Sequence, residues 1–566
     1  MASPALSYPV NIVLQTNRFG FGNNWSLRPQ RRKSYFRVRQ ETGGSSNDSN
    51  RSQQEQNAKT EIRDSVRTQE GSDPPLIRAL QASAEQNTAD FCFPGHNKGR
   101  AAPSSLTQLI GLKPFIHDLT SLPELDNLFR PQGPILEALQ QAAKLFGASE
   151  TWFLVGGTTS GIQAAIMATC SPGEHIILPR NSHASAISAL VFSGAEPIYI
   201  MPEYDSNWDI PGGVTRSQVV RAIKDSEMEG QKVSAVFVTS PTYHGICSNV
   251  SEISQICHAK GIPLIVDEAH GAHFGFQPQL PHSALQQGAD LVVQSTHKVL
   301  CSLTQSSMLH MSGNIVDRER VCRCLQSLQS TSPSYLLLAS LDAARAQLSN
   351  NPDKIFNKAI DLANQAKNKI NKISGISVLE FPNFSSFPAF DPLRLTIGFH
   401  QLGLSGYEAN EILHKNHGVT CELIGTQSIT IIINLGICEH DIKRLVSGLE
   451  DVSSFAPNPG TEGRSKLNIY APFTDIKIGL NPREAFFAKK RRQSISEAVG
   501  EVCGELICPY PPGIPVTIPG EIITKKVRDV LLHLKSKGAC ITGASDSQLA
   551  SLIVCNVQEK EHMTYE

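Results

Sequence analysis

Leu291-Val292-Val293-Gln294-Ser295-Thr296-His297-Lys298 is the stretch whose reading decides the fold. An apolar run that short, ending in small hydroxylated residues, predicts a buried strand that delivers Lys298 to its carboxyl end. A lysine at such a mouth is partly desolvated, which lowers its pKa and frees the amine to form a Schiff base with a carbonyl cofactor. Upstream, Ile262-Pro263-Leu264-Ile265-Val266 ends in Asp267-Glu268-Ala269-His270-Gly271, a second buried strand that delivers a carboxylate. Asp267 precedes Lys298 by 31 positions, about one βαβ-type unit. An acid to hold a pyridinium nitrogen and a lysine to bind an aldehyde are what pyridoxal 5'-phosphate (PLP) requires of a protein.

Further apolar runs alternate with helical stretches around this pair. Residues 152–155, 175–178, 197–201 and 233–238 read as strands, and residues 134–146 read as an amphipathic helix with Ile135, Leu139, Ala142 and Phe146 on one side. Alternation of this kind predicts an α/β architecture with a mostly parallel sheet, and such sheets bind ligands beyond the carboxyl ends of their strands. After residue 335 a helical region to about 375 leads into a smaller α+β unit with strands near 393–399 and 429–435. A Pro/Gly-rich stretch past Ser454 opens a last unit.

Composition limits the function classes. The chain has 566 residues, enough for several domains, with 40% hydrophobic and 18% charged residues and a formal net charge of −1. That balance favours neither nucleic acid nor an anionic membrane as partner, and no apolar run is long enough to span a bilayer. Thirteen cysteines without metal-type spacing point to reduced thiols, and Cys322 and Cys324 are expected on one exposed helix face. Residues 1–40 carry seven basic residues and no acid, which suggests a transit peptide, plastid before mitochondrion, with a cytosolic protein bearing a basic tail as the alternative. Residues 41–75 read as a disordered linker.

Gly156-Gly157-Thr158-Thr159-Ser160-Gly161 lies between a strand and a helix, so backbone N–H groups and the helix dipole face one anion. By itself the turn is weak evidence. Ahead of Asp267 and Lys298 it becomes a cradle for the PLP phosphate, with Ser295 as a second ligand. His183, after the strand at 175–178, can stack on the pyridine ring or be an ordinary satisfied histidine. Ser240-Pro241-Thr242-Tyr243-His244-Gly245 reads equally as a plain turn or a cofactor contact. Asp267, His270 and His273 could also be metal ligands, but Gly271 and Gly275 suggest a loop rather than the helix that an H-E-x-x-H site needs, so no metal is expected.

These motifs resemble the fold-type-I ornithine/lysine/arginine decarboxylase family. The resemblance is carried by Phe93-Pro94-Gly95-His96-Asn97-Lys98-Gly99, the Gly156–Gly161 turn, Ser182-His183, Asp267–Gly271, Ser295–Lys298, Ser330–Tyr335 and Cys508-Pro509-Tyr510-Pro511-Pro512-Gly513-Ile514-Pro515. It runs from about residue 75 to 550. It implies an aspartate-aminotransferase-like PLP-binding large domain with a mostly parallel sheet (76–335), a helical connection with a smaller α+β domain (336–455) and a C-terminal domain (456–566). It also implies that Lys298 binds the aldehyde, Asp267 pairs the ring nitrogen and His183 stacks on the ring. Gly157, Thr158, Thr159, Ala269, His270, Ser295 and His297 surround the cofactor, and Thr331 reaches a neighbouring subunit's phosphate, so a homodimer or larger homo-oligomer with shared active sites is expected. His270 stands where long acid-induced members often have an aromatic residue, and those members' wing domain has no counterpart here, which favours the short arginine-decarboxylase-like branch and a dimer or dimer of dimers.

The activity so implied is decarboxylation of a basic amino acid to an amine and CO₂, arginine before lysine or ornithine, in polyamine or diamine biosynthesis. A distal cation needs a carboxylate, and Asp118, Glu124, Asp126 and Glu505 are the candidates, each otherwise a solvated surface acid. Transamination or aldol cleavage on the same scaffold, or a non-catalytic regulatory homologue, are the alternatives.

Overall fold

The computed structural model describes residues 72–380, 386–454, 476–510 and 513–557. All lie in one compact unit, Thr68–Glu566. The expected transit peptide lies outside the described residues, as does the linker up to residue 71; at its end Pro75 already opens the helix Pro75–Ala84, on which Leu76 is fully buried.

Seven strands form the central sheet: β1 (Glu150–Leu154), β2 (His175–Pro179), β3 (Glu196–Ile200), β4 (Val233–Thr239), β5 (Leu264–Asp267), β6 (Leu291–Gln294) and β7 (Ser307–Met311). Their order is β1-β7-β6-β5-β4-β2-β3. The pairs β2–β3, β2–β4, β4–β5 and β5–β6 are parallel, and only β7 runs antiparallel to its neighbours. The sheet is thus mostly parallel, as the alternating pattern predicts. Strand β7 was not anticipated, because Ser307 and His310 interrupt its apolar run.

Both faces of the sheet are covered, which explains the near-continuous apolar strands. Phe237 of β4 points into a core with Ile162, Ile166, Ile187 and Leu190, from helices α2 (Gly157–Thr169) and α3 (Ala184–Ser193). Its neighbours Val236 and Val238 point the other way, into a core with Ile135, Leu139 and Phe146 of α1 (Pro134–Phe146). This alternation is the two-residue period of a strand. Helix α1 spans the residues its spacing predicts.

The helices Tyr335–Asn350 and Asn357–Ile370 lead to a four-stranded antiparallel sheet: β8 (Ser377–Val378), β9 (Arg394–Gly398), β10 (Leu423–Ile424) and β11 (Ser428–Ile432), ordered β8-β9-β11-β10. Its inner face joins the second core through Leu395, Ile397, Ile429 and Ile431. The last segment packs Val527, Val530, Leu531 and Leu534 of the helix Lys525–Ser536 against Cys503, Ile507 and Val554. Cys322 and Cys324 do lie on a helix, Arg318–Leu328, but Cys324 is buried and Cys322 half-buried. Residues two apart on a helix point about 200° away from each other, so one exposed face cannot hold both. Among the described residues no helix is long and apolar enough to cross a membrane.

Candidate active site

The carboxyl ends of the central strands meet at a cleft of ≈ 360 Å³. Register places its two principal groups: Asp267 ends β5 opposite Val293 of β6, and β6 runs on into the single-turn helix Thr296–Val299 that carries Lys298. Asp267 is buried, and its Oδ1 accepts the Ala269 N–H at 3.1 Å. Burial pushes the Asp267 carboxyl above its ordinary value, opposed by the charge of Lys298 and by that N–H. Burial also pulls the Lys298 amine below its ordinary value, opposed by Asp267.

Lys298 Nζ lies 3.1 Å from His270 Nε2. The other ring nitrogen of His270 meets Arg394 Nη2 at 2.8 Å. Arg394 comes from β9 of the small sheet and is buried, as is Asp391, whose Oδ2 is 3.4 Å from Arg394 Nε and whose Oδ1 is 3.1 Å from His273 Nε2. The two histidines weighed as metal ligands with Asp267 therefore have different partners. The Tyr243 ring stacks obliquely on His270, with centroids 4.6 Å apart, and Lys298 Nζ is 6.0 Å from the Tyr243 centroid.

An anion cradle lines the same cleft. Gly157 (φ +72) turns the chain from β1 into α2 in a conformation open to glycine. A β-carbon at Gly161 would meet Leu154 and Val293 at 2.6 Å, so the bare helix start rests directly on the sheet. Thr158 Oγ1 lies 2.5 Å from Ser295 Oγ and 3.0 Å from Ser307 Oγ, and Thr159 lines the same cleft. His297 donates from Nδ1 to the Ser306 carbonyl at 2.8 Å, which leaves Nε2 as a lone pair. Hydroxyls and helix N–H groups make a donor set suited to a phosphate. In the same cleft Thr239 Oγ1 is buried without a partner, so polar demand is left for a bound group. The residues fit PLP.

His183 caps α3, its Nδ1 accepting the Ser185 N–H at 3.1 Å. Burial, then the charge of Lys298, brings its pKa down to about 4, so the ring is neutral and suited to stacking. The C-terminal segment closes over it through Gly513, and Tyr510 also lines the cleft.

The expected residues Gly157, Thr158, Thr159, His183, Asp267, Ala269, His270, Ser295, His297 and Lys298 all line this one cleft. Thr331 is exposed and lies outside it. None of the four acids expected to meet a distal cation lines the cleft of its own chain. Asp118 faces His96 Nε2 at 3.2 Å, and Glu124 accepts from Ser83 Oγ at 2.8 Å. Asp126 accepts backbone N–H groups of Asn127, Gln132 and Gly133. Glu505 is buried and accepts from Ser545 and Ile553, a structural role that corrects its reading as a surface acid. Among the described residues the acid that lines the cleft besides Asp267 is Glu422, one residue before β10; Thr304, Gln305 and Arg394 were likewise not anticipated. The first two follow Lys298 on the loop to β7, and the parity of strands β9 to β11 marks no one residue as pointing at Lys298.

Family models described as Orn/Lys/Arg decarboxylase, major domain and C-terminal domain match residues 74–387 and 468–542. An arginine decarboxylase of Halalkalibacterium halodurans is 38% identical, with 86% of this chain and 98% of the relative covered; one of Bacillus subtilis is 36% identical with the same coverage. The solved lysine decarboxylase of Francisella novicida shares the fold with TM-score 0.73 at 24% identity, covering 86% of this chain and 81% of its own. These matches overturn the plastid expectation: the arginine decarboxylases named here are bacterial. A basic, acid-free run is a composition that tails and transit peptides share, so residues 1–40 did not distinguish the two.

Proposed function

The chain belongs to the Orn/Lys/Arg decarboxylase family, and on that premise we propose that it removes the α-carboxylate of arginine as CO₂ with PLP as cofactor, lysine and ornithine being poorer substrates. The observation that carries this is the convergence of Lys298, Asp267 and the Thr158–Ser295 cradle on one cleft. Bound PLP supplies a conjugated ring that takes up the electron pair of the bond to the carboxylate.

The chain's own residues do the rest. Lys298 would hold the aldehyde covalently, and the N–H groups and hydroxyls at 157–159 and Ser295 would hold the phosphate. Asp267, an acceptor in a dry site, would keep the ring nitrogen protonated and stabilise the charge that develops. His183 would cover one ring face. Lys298, protonated once free, would return a proton to Cα, or His297 would do so after taking one up at Nε2. Glu422 is the cleft carboxylate that would meet a guanidinium, a planar partner for two hydrogen bonds. Arginine is preferred because both bacterial relatives just named are arginine decarboxylases that this chain covers almost end to end.

A homodimer or larger homo-oligomer is the functional unit in this proposal. Phe91 and Phe93 are 100% and 84% exposed, an apolar face suited to a second copy. The three-part division at 76–335, 336–455 and 456–566 belongs to the same proposal.

The test is an assay of the purified protein with PLP against arginine, lysine and ornithine, with CO₂ and amines measured. Amine from arginine first, lost in Lys298→Ala, is the expected result. Borohydride fixation that labels no peptide containing Lys298 would overturn the reading.

A further inference from the structure

The site holds a second line of groups that the reaction so far does not use. From the lysine inward run Lys298, His270, Arg394, Asp391 and His273, each within 3.4 Å of the next. Four of them come from two distant parts of the chain, the loop after β5 and the start of β9, and Gly245 lets them meet. A β-carbon at Gly245 would lie 3.2 Å from Asp391 Cβ and 3.3 Å from Arg394 Cβ.

Hydrogen-bond roles along this line are not free. A guanidinium has five N–H donors, no acceptor, and stays charged in proteins. Arg394 also donates to the Tyr243 carbonyl at 3.2 Å and to the His270 carbonyl at 3.4 Å, which orients the guanidinium, while Asp391 faces its Nε at 3.4 Å as an ion pair without a hydrogen bond. His270 Nδ1 must therefore offer a lone pair to Arg394. Imidazolium has none, so the ring is neutral and carries its single hydrogen on Nε2. That N–H points at Lys298 Nζ, which can accept it only as an uncharged amine.

We propose that Arg394, held by Asp391, is a positioning residue that sets the tautomer of His270 and through it keeps Lys298 as the unprotonated amine. The proposal rests on Lys298 being the imine-forming residue of the decarboxylase reading. An ammonium at Lys298 would meet the His270 N–H head-on, so its proton is shed to solvent before an aldehyde arrives. The other groups facing Lys298 are Asp267 from β5, Glu422 from beside β10, Tyr243 from the loop after β4, His183 from the loop after β2 and His297 on its own helix. Asp267 and Glu422 favour the ammonium; Arg394 and the His270 N–H oppose them. Burial, with the charge of Arg394 beside it, holds His270 well below its ordinary value, in keeping with a neutral ring.

The ionisation of Lys298 is measured in the full-length, cofactor-free protein by competitive labelling with a small amine-modifying reagent across pH, with the Lys298 peptide quantified by mass spectrometry. Arg394→Met is expected to raise the midpoint by about one pH unit, because His270 can then turn a lone pair towards an ammonium. Arg394→Lys, which keeps a donor and the charge, is expected to stay near wild type. In a His270→Phe background the Arg394→Met shift should fall to less than half. An equal shift in both backgrounds would leave only through-space charge and overturn the relay, as would no shift at all. Neutron diffraction from wild-type crystals needs no variant at 394: hydrogen on His270 Nε2 supports the proposal, and hydrogen on Nδ1 overturns it. Neither readout involves PLP, so a failed relay is distinguishable from a failed decarboxylase reading, which borohydride fixation reports.

Discussion

Gly513 lies against His183: a β-carbon at position 513 would stand 3.4 Å from His183 Nε2. The C-terminal segment thus forms part of the wall behind the ring that the family resemblance assigns to stacking. Gly513 also has φ +89, where a side chain costs about 1–2 kcal/mol. Gly513→Ala is expected to lower kcat/KM for arginine about tenfold while the unfolding temperature falls by only a few degrees. Steady-state kinetics beside a thermal melt check this. A melt that moves with kinetics unchanged would remove the loop from the site.

Arg180 and Glu521 tie the same segment to the central sheet. Arg180 Nε and Nη2 reach the two oxygens of Glu521 at 2.6 and 2.7 Å, both residues are buried, and Arg180 also donates to the Pro515 carbonyl at 3.0 Å. Removing one partner strands a charge in a dry interior, which costs about 3–5 kcal/mol. Glu521→Met should lose that much in a denaturant titration, and Arg180→Met with Glu521→Met should recover part of it. A double variant no more stable than the single one would mean that the pair is not the main interaction there.

The parallel strands were legible because burial on two faces leaves long apolar runs, and Asp267 and Lys298 were legible because they end such runs. Strand β7 was hidden by His310 and Ser307, whose polar atoms are satisfied by Thr151 and Gln294 across the sheet and by Thr158 at the start of α2. Arg394 is 124 positions from the histidine it orients, and only the packing of the small sheet on the large one joins them. Asp118, Glu124, Asp126 and Glu505 drew attention as acids near motifs, yet other partners claim them: N–H groups of its own turn for Asp126, and residues 22 to 48 positions away for the other three. Nearness in sequence to a motif says little about which side chain turns towards the cleft.

Buried histidines set the acid limit of stability. His310 is fully buried between Thr151 and Gln294, and burial drives its pKa down to about 3; His244, beside Thr430 and Arg394, is likewise at about 3. In the unfolded chain both return to about 6.5. The unfolded state then binds more protons, so stability is complete above about pH 6.5 and is lost as pH falls towards 3. Each such histidine contributes a slope of up to about 1.4 kcal/mol per pH unit. Unfolding free energies at pH 7, 6 and 5 should fall with acid, and His310→Gln should show a shallower fall. The same slope in the variant would mean that His310 is already protonated in the fold.

Glu422 is the remaining charge whose purpose the cleft leaves open to experiment. It is exposed, lines the cleft beside Lys298, and its backbone N–H is tied to the Thr430 carbonyl at 3.1 Å, so the strand edge rather than the carboxylate bears the structural load. Its charge favours the ammonium form of Lys298, so removing it leaves the amine no less available. A loss in Glu422→Gln therefore reports on the substrate. A charge-assisted hydrogen bond contributes about 1.5–3 kcal/mol, so KM for arginine should rise roughly 10- to 100-fold with a smaller change in kcat. Norleucine, which lacks a distal cation, is the control: its already low kcat/KM should not fall further, and the preference for arginine should narrow by the same factor. If both amino acids respond alike, or neither does, Glu422 does not read the cation.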